Sequence, residues 1–463
     1  MPKYSKAAEV KEIKRPKKMI ETIRGMKDLI PGDQKYWDYL EGIVTKFAHS
    51  YSFRKVQTPV LENPQLYSKI FHKKGKADDD SFLVEASNGE KLVLRPDLTV
   101  PMVRSYFEHA LEQSNYTVKL YSSGPVFRQE AKGRSGEWRS AHQLACYIFD
   151  EKNPLADVQV IMFSYQVLRE AGFSVTVSIN SMGCSECRDQ YKEALLSYYR
   201  GKKKLLCQGC QESMAKAPLY VLDCSEDACS GLKKDAPQSL DWLCAACKDH
   251  FMKVLECLDE VGISYALNPY LVSGLDMHAK VVFEIIENSQ LENSVVKPVV
   301  LGAGGRYDEL INKMMGVDVA LVGFTLMMES SIKRIRQLQL EVLELGNPDI
   351  FVAQLGDVAK KRALALFEQL RRDGISVSES FAKDNLKAQL ELATRLGVKF
   401  ALILGQKEIL DGTIIIRDMD GGVQEIVDFN KVILEIKKRL RKMESAKSLT
   451  REGVAASPLS KGD

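Results

Sequence analysis

Phe127-Arg128-Gln129-Glu130, and Leu301-Gly302-Ala303-Gly304-Gly305-Arg306-Tyr307-Asp308, decide how this chain is read. The first opens a strand-loop-strand. The second is a glycine-rich run, a weak signal when it stands alone. Its weight comes from its place among the other elements. Lys35 to His49 has helical spacing, with Trp37, Tyr39, Leu40, Ile43 and Phe47 apolar. Tyr51 to Val60 reads as a turn leading into a strand ended by Pro59, and Lys91 to Leu94 and Val118 to Tyr121 are further strand candidates. Asp157 to Glu170 is an amphipathic helix whose apolar side holds Val158, Val160, Ile161, Phe163, Val167 and Leu168. Strand patterns resume at Ser174 to Ile179 and Val281 to Ile286.

The chain has 463 residues, which predicts two or three domains. With 45% hydrophobic and 27% charged residues it has an ordinary globular composition, and no apolar run is long enough to cross a bilayer. Residues 1–18 are basic without an apolar core, so they read as a disordered arm and not as a secretory signal. A net charge of +3 neither requires nor excludes a nucleic-acid partner, because local patches decide that. Residues 19–183 and 258–337 read as one core, interrupted by residues 184–257. Gly346-Asn347-Pro348 marks a boundary. Beyond it, strands at Ile350 to Ala353, Ser376 to Ser378, Phe400 to Leu404 and Thr413 to Arg417 alternate with helices at Val358 to Arg372, Lys387 to Leu396 and Asn430 to Met443. Residues 348–443 are therefore an α/β module, and the polar tail 444–463 reads as disordered.

The interrupting segment holds every cysteine but Cys146. Cys184-x2-Cys187, Cys207-x2-Cys210 and Cys244-x2-Cys247 are knuckle-like pairs, and Cys224-x4-Cys229 is a looser fourth. A two-residue gap lets a tight turn present both thiolates to one tetrahedral metal. The pairing in a long chain points to metal in a reducing compartment, not to disulfides. Eight thiolates suffice for one or two structural Zn²⁺ ions with no open coordination position. Sequence leaves open which pairs share a metal. Cys146 and Cys257 read as ordinary buried residues.

Set in order along the chain, these runs resemble the histidyl-tRNA synthetases, members of the class II aminoacyl-tRNA synthetases. Arg24-Gly25-Met26-Lys27-Asp28 is similar to the family's opening turn, and Thr58-Pro59-Val60-Leu61-Glu62 to motif 1, its dimer-forming element. Arg95-Pro96-Asp97-Leu98-Thr99 resembles the amino-acid loop, with Asp97 for the usual glutamate; Phe127 to Asp150 resembles motif 2. Leu271-Val272-Ser273-Gly274-Leu275-Asp276-Met277-His278 falls where the family has its histidine-specific run, and Val322 to Ser330 where it has motif 3. Residues 348–440 look like the anticodon-binding domain, and the cysteine-rich insertion is similar to one carried by some bacterial members.

The resemblance implies an α+β fold, with a six- or seven-stranded antiparallel sheet flanked by helices, in a cytoplasmic homodimer. It implies ATP-dependent attachment of histidine to tRNA with Mg²⁺. Arg128 would hold the α-phosphate and Glu130 the adenine amino group. Arg139 or Arg134 would reach the outer phosphates. Gly304, Gly305 and Arg306 would serve the nucleotide, with closure around the two glycines. Asp97, Thr99, Gln143, Tyr147, Met277 and His278 would line the amino-acid pocket, His278 as a packing residue.

Several positions depart from the family. Ser330 stands for the motif 3 arginine, Met327 for a glycine that leaves room for nucleotide, and Ser273 for the arginine aimed at the α-phosphate. Tyr147 stands for a glutamate that receives the imidazole, and Met277 and His278 for two tyrosines. Lys333 and Arg334 point a helical turn away from Ser330. Each lost charge donor costs about 3–4 kcal/mol of transition-state stabilisation, so two predict a rate loss on the order of 10⁴–10⁶. The expectation is a family member with weak or lost catalysis and retained tRNA contact. Two alternatives stand beside it. One is a histidine sensor resembling the regulatory subunit of ATP phosphoribosyltransferase, whose Arg-Pro-Asp-x-Thr run is like Arg95 to Thr99. The other is a ligase for a different amino acid.

Overall fold

The computed structural model describes residues 20–68, 70, 81–129, 138–215, 217–224, 226–272, 278–288, 299–340, 342, 348–382 and 385–455. The expected arm at 1–18 lies outside them. The chain parts into two compact units, Met1–Val342 and Leu343–Asp463.

The first unit is built on an eight-stranded sheet. Its spatial order is Arg54–Lys55, Val118–Phe127, Ser140–Phe149, Leu321–Met327, Val300–Arg306, Ala279–Glu287, Val175–Ser181 and Tyr265–Leu267. The six inner strands pair antiparallel, and the two short outermost strands pair parallel to their neighbours. The sheet thus has eight strands where the resemblance implied six or seven, the short edge strands Arg54–Lys55 and Tyr265–Leu267 flanking six antiparallel ones.

Period-two alternation sorts side chains to opposite faces. From Ser140–Phe149, Leu144, Cys146 and Ile148 enter one core, with Trp37, Leu40, Ile43 and Val44 of the Pro31–Ser50 helix. Ala145, Tyr147 and Phe149 enter the other, with Val100, Met102, Val103 and Tyr106 of the Thr99–Glu108 helix and Leu310, Ile311 and Met314 of the Asp308–Met315 helix. The second face carries the candidate site. The Pro154–Glu170 helix behind the sheet starts where the sequence allows. Pro154 sits in the first turn, and the Asn153 side chain accepts a hydrogen bond from the Leu155 N–H at 3.0 Å.

The cysteine-rich segment contributes two long helices, Ser185–Arg200 and Ala245–Glu260. It has a small core of its own, with Tyr191, Leu195, Tyr199 and Leu219. Its last helix also packs Phe251, Val254, Leu255 and Leu258 into the core behind the sheet. The segment is therefore anchored in the unit and does not hang from it.

The second unit is a five-stranded sheet in the order Val377–Glu379, Ile350–Gln354, Phe400–Leu404, Thr413–Asp418 and Gln424–Asp428. The helices Asp357–Arg372 and Val432–Ala455 cover one face, with Leu366, Leu370, Ile436 and Leu440 inside. The last helix is described through Ala455, within the expected tail from Glu444. No helix of the described residues is long and apolar enough to cross a membrane.

Candidate active-site face and cysteine centres

Asp97, Leu98 and Thr99 begin the Thr99–Glu108 helix above the second face of the sheet. Asp97 Oδ1 accepts from the Val100 N–H at 2.9 Å, which ties down the helix start. Burial pushes the Asp97 carboxyl up, against the Val100 hydrogen bond and the Arg128 charge. Gln143 Oε1 accepts from the Leu98 N–H at 2.7 Å, so its amide oxygen is occupied by the protein's own backbone.

Tyr147 lies on the floor between these groups. It is fully buried, and its hydroxyl meets Thr99 Oγ1 at 2.5 Å. Its ring stands edge-on to Tyr307, 5.6 Å between centroids, and Tyr307 in turn packs on His278 at 4.2 Å. Gly323 opposite exists to make room: a Cβ there would lie 2.0 Å from Tyr147 Cδ1. His278 is buried, and burial depresses its pKa to about 4, so the imidazole is neutral near pH 7. The Arg188 guanidinium donates to the His278 carbonyl at 2.9 Å and pairs with Glu309. Thr99, Gln143, Tyr147 and His278 are therefore brought together as a packed cluster, in which the buried His278 Nδ1 has no hydrogen-bond partner among the described residues. Tyr307, whose role the sequence did not reveal, is its keystone. Met277, Ser273 and Glu130 lie outside the described residues.

Arg128 is exposed at the mouth, with Nε 3.3 Å from the Pro96 carbonyl. Arg139 donates through Nε to the Gln129 carbonyl at 2.7 Å and lies over the Phe82 ring at 5.9 Å. Met327, in register with Gln143, packs against the same core as Tyr147. Ser330 is in the first turn of the Met328–Gln337 helix. Further along that helix Arg334 pairs with Glu287 at 2.7 Å and Arg336 with Asp33, so neither substitutes for a motif 3 arginine in this arrangement.

Three residues expected at the nucleotide have protein partners in this structure. Arg306 is wholly buried. Nε and one terminal nitrogen grip Asp157 at 2.7–3.0 Å, and its terminal nitrogens donate to the Glu151 and Asn153 carbonyls at 3.1 and 3.2 Å. His250 Nε2 reaches the same carboxylate at 3.1 Å. This guanidinium braces the core. Gly304 and Gly305 are paired on both sides in mid-sheet, a poor place for closure. A Cβ on Gly304 would fall 2.4 Å from the Gly323 carbonyl oxygen, and one on Gly305 would fall 2.5 Å from His278 Nδ1. Both are glycine because protein atoms occupy the space. Arg95 was also missed as a brace. It is buried, with donors to the Pro125 and Thr58 carbonyls at 2.8 Å. The one signal available for the Arg306 brace was Asp157. A carboxylate at the head of an apolar helix side needs a buried partner.

The cysteines resolve into two groups, Cys184, Cys187, Cys244 and Cys247, and Cys207, Cys210, Cys224 and Cys229, with sulfurs within 4.8 Å of one another in each. Tetrahedral sulfurs about 2.3 Å from a zinc ion are roughly 3.8 Å apart. Cys207 and Cys224 sulfurs are 3.8 Å apart and those of Cys184 and Cys187 3.5 Å, far beyond a disulfide bond. Backbone N–H groups of Cys244 and Cys207 donate to the sulfurs of Cys187 and Cys229 at 3.1 and 3.3 Å, as thiolates require. Both donor sets fit structural zinc. In the first, the two pairs come from the leading turns of the two long insertion helices, so one ion would clamp both.

The family model described as "Histidyl-tRNA synthetase" matches residues 25–331, and the one described as "Anticodon binding domain" matches residues 349–439. A histidine–tRNA ligase of Syntrophotalea carbinolica is 35% identical over 88% of this chain and 95% of its own length. That of Dehalococcoides mccartyi is 32% identical over 91% and 100%. Among solved structures, the apo histidyl-tRNA synthetase of S. aureus superposes with a TM-score of 0.76 at 27% identity, over 90% of this chain and 99% of that one. An ATP phosphoribosyltransferase regulatory subunit/histidyl-tRNA synthetase from Bacillus halodurans shares the fold, with a TM-score of 0.58 at 20% identity.

Proposed function

The chain belongs to the histidyl-tRNA synthetase family, and from that premise we propose that it retains tRNA binding while histidine adenylation is weak or lost. One observation carries this reading. Tyr147, wholly buried and hydrogen-bonded to Thr99, occupies the floor of the face where the family's amino-acid pocket is expected. Tyr307 and neutral His278 complete the plug. The reacting carboxylate must approach the α-phosphate of ATP while negative charge grows on phosphate oxygens, and fixed guanidinium groups must meet that charge. Arg128 is positioned for that role, with Arg139 beside it. Ser330 and Met327 supply neither charge nor room.

In this reading the protein is a cytoplasmic homodimer holding two structural Zn²⁺ ions. Glu130 and Arg128 would still meet ATP and Mg²⁺ weakly, and the C-terminal unit would hold tRNA. The plug argues against a histidine sensor, because a sensor needs an open pocket. It argues equally against a ligase for another amino acid of similar size.

Calorimetric titration separates these classes. The proposal predicts no heat of binding with histidine and weak or no heat with ATP. Micromolar histidine binding without ATP binding would establish a sensor, and tight binding of both would establish an enzyme. Either result overturns the proposal.

A further inference from the structure

One short run, Met182 to Arg188, joins the first cysteine centre to the packed cluster on the candidate face. Cys184 heads the Ser185–Arg200 helix, and its side chain makes no cap hydrogen bond there. The Arg188 N–H donates to the Cys184 carbonyl at 3.0 Å and closes the first turn, which also carries Cys187. The buried Arg188 guanidinium is divided between two partners. One terminal nitrogen donates to the His278 carbonyl at 2.9 Å, and the other pairs with Glu309. The backbone of the run adds two bonds to Lys280. The Gly183 carbonyl accepts from the Lys280 N–H and the Lys280 carbonyl from the Met182 N–H, both at 2.7 Å. Lys280 Nζ in turn meets Asp308 at 3.2 Å. Asp308 and Glu309 open the helix that directly follows Tyr307. The run therefore holds both the strand start beside His278 and the helix start beside Tyr307.

The segment so held is under tension. Lys280 has a left-handed backbone, φ 51°, which a residue with a Cβ rarely adopts. His278 Nδ1 is buried with no hydrogen-bond partner among the described residues. Such features persist only where the surroundings impose them, and they relax when the restraint is lifted.

We propose that the centre of Cys184, Cys187, Cys244 and Cys247 is a latch on the amino-acid pocket, with Arg188 as the positioning residue that carries its state to His278 and Tyr307. The first turn of a helix is held weakly by the helix itself. Here Cys184 and Cys187, tied to Cys244 and Cys247 when metal is bound, would fix that turn and the direction of Arg188. With the four thiolates untied, their mutual repulsion opens the turn and Arg188 leaves both partners. The second centre is bonded within the insertion, through the Cys207 N–H to Cys229 and Lys233 to the Cys224 carbonyl, and so serves as a control. The inference rests on the reading that Tyr147, Tyr307 and His278 close the pocket, and it adds what keeps them closed.

The test treats full-length, zinc-loaded protein with diethyl pyrocarbonate near pH 7 and reads His278 modification by mass spectrometry. Exposed His109 is the internal standard. Amide hydrogen exchange is followed at 278–282 and 307–311. Cys187→Ser, with one centre emptied, and Arg188→Met, with both centres loaded, should each raise His278 modification and exchange in both segments by about ten-fold. Cys210→Ser, which empties the other centre, should leave them at the wild-type level. Arg188→Lys reaches Glu309 but cannot also span to the His278 carbonyl, so it should fall between. Circular dichroism melts check folding, and Arg188→Lys carries the test if Arg188→Met does not fold. An equal response to Cys187→Ser and Cys210→Ser, or His278 unmoved in the Arg188 variants, overturns the latch. Histidine binding by the wild-type protein overturns the closed-pocket reading instead, and the exchange response to Cys187→Ser and Arg188→Met then supports the coupling by itself.

Discussion

Arg306 shows how a residue's environment sets its role. Its guanidinium has no exposed surface, and its partner Asp157 is equally buried. Removing one member of such a pair leaves an uncompensated charge in the core, which costs about 3–5 kcal/mol. Arg306→Met should lower the free energy of unfolding by that amount in urea titration, and Arg306→Met with Asp157→Leu should regain most of it. An Arg306→Met variant of wild-type stability would contradict the buried pair. At this scale the sequence was half legible. It identified Tyr147 and Ser330 as departures, because those are matters of residue type. It did not identify Arg306 as a brace or Tyr307 as the centre of the plug, because both depend on neighbours far away in the chain. Tyr147 and Tyr307 come together only when strands between them close the sheet.

At the scale of elements, local periodicity located the Pro31–Ser50 and Pro154–Glu170 helices and most of the second unit, but not the Thr99–Glu108 helix or the Val300–Arg306 and Leu321–Met327 strands that build the candidate site. Phe400–Leu404 and Lys91–Leu94 fall where their apolar runs are. Gln424–Asp428 escaped notice because it is an edge strand, exposed along most of its length, and carries little alternation. The cysteine spacing identified knuckles but not their partnership, since the pairs at 184–187 and 244–247 meet only through the packing of two long helices. That partnership is testable. Two zinc ions per chain are expected by elemental analysis, falling to about one in either Cys187→Ser or Cys210→Ser. Chelation should lower the melting temperature, since structural zinc supplies on the order of 10 kcal/mol of apparent folding energy. Loss of Cys187 that empties both centres would contradict the two groups.

For the whole molecule, ancestry and chemistry separate. Family membership is carried by the sheet, the insertion and the C-terminal unit, which together span most of the chain. Catalysis rests on a few groups at one face, where fold analogy has no authority. In the proposed reading the guanidinium groups there are fewer and Tyr147 fills the pocket floor. ATP–pyrophosphate exchange with saturating histidine tests this most directly. The account predicts exchange slower by about 10⁴–10⁶-fold than in a relative with both family arginines. Exchange at the relative's own rate would show that this site still stabilises the departing pyrophosphate, and would contradict it.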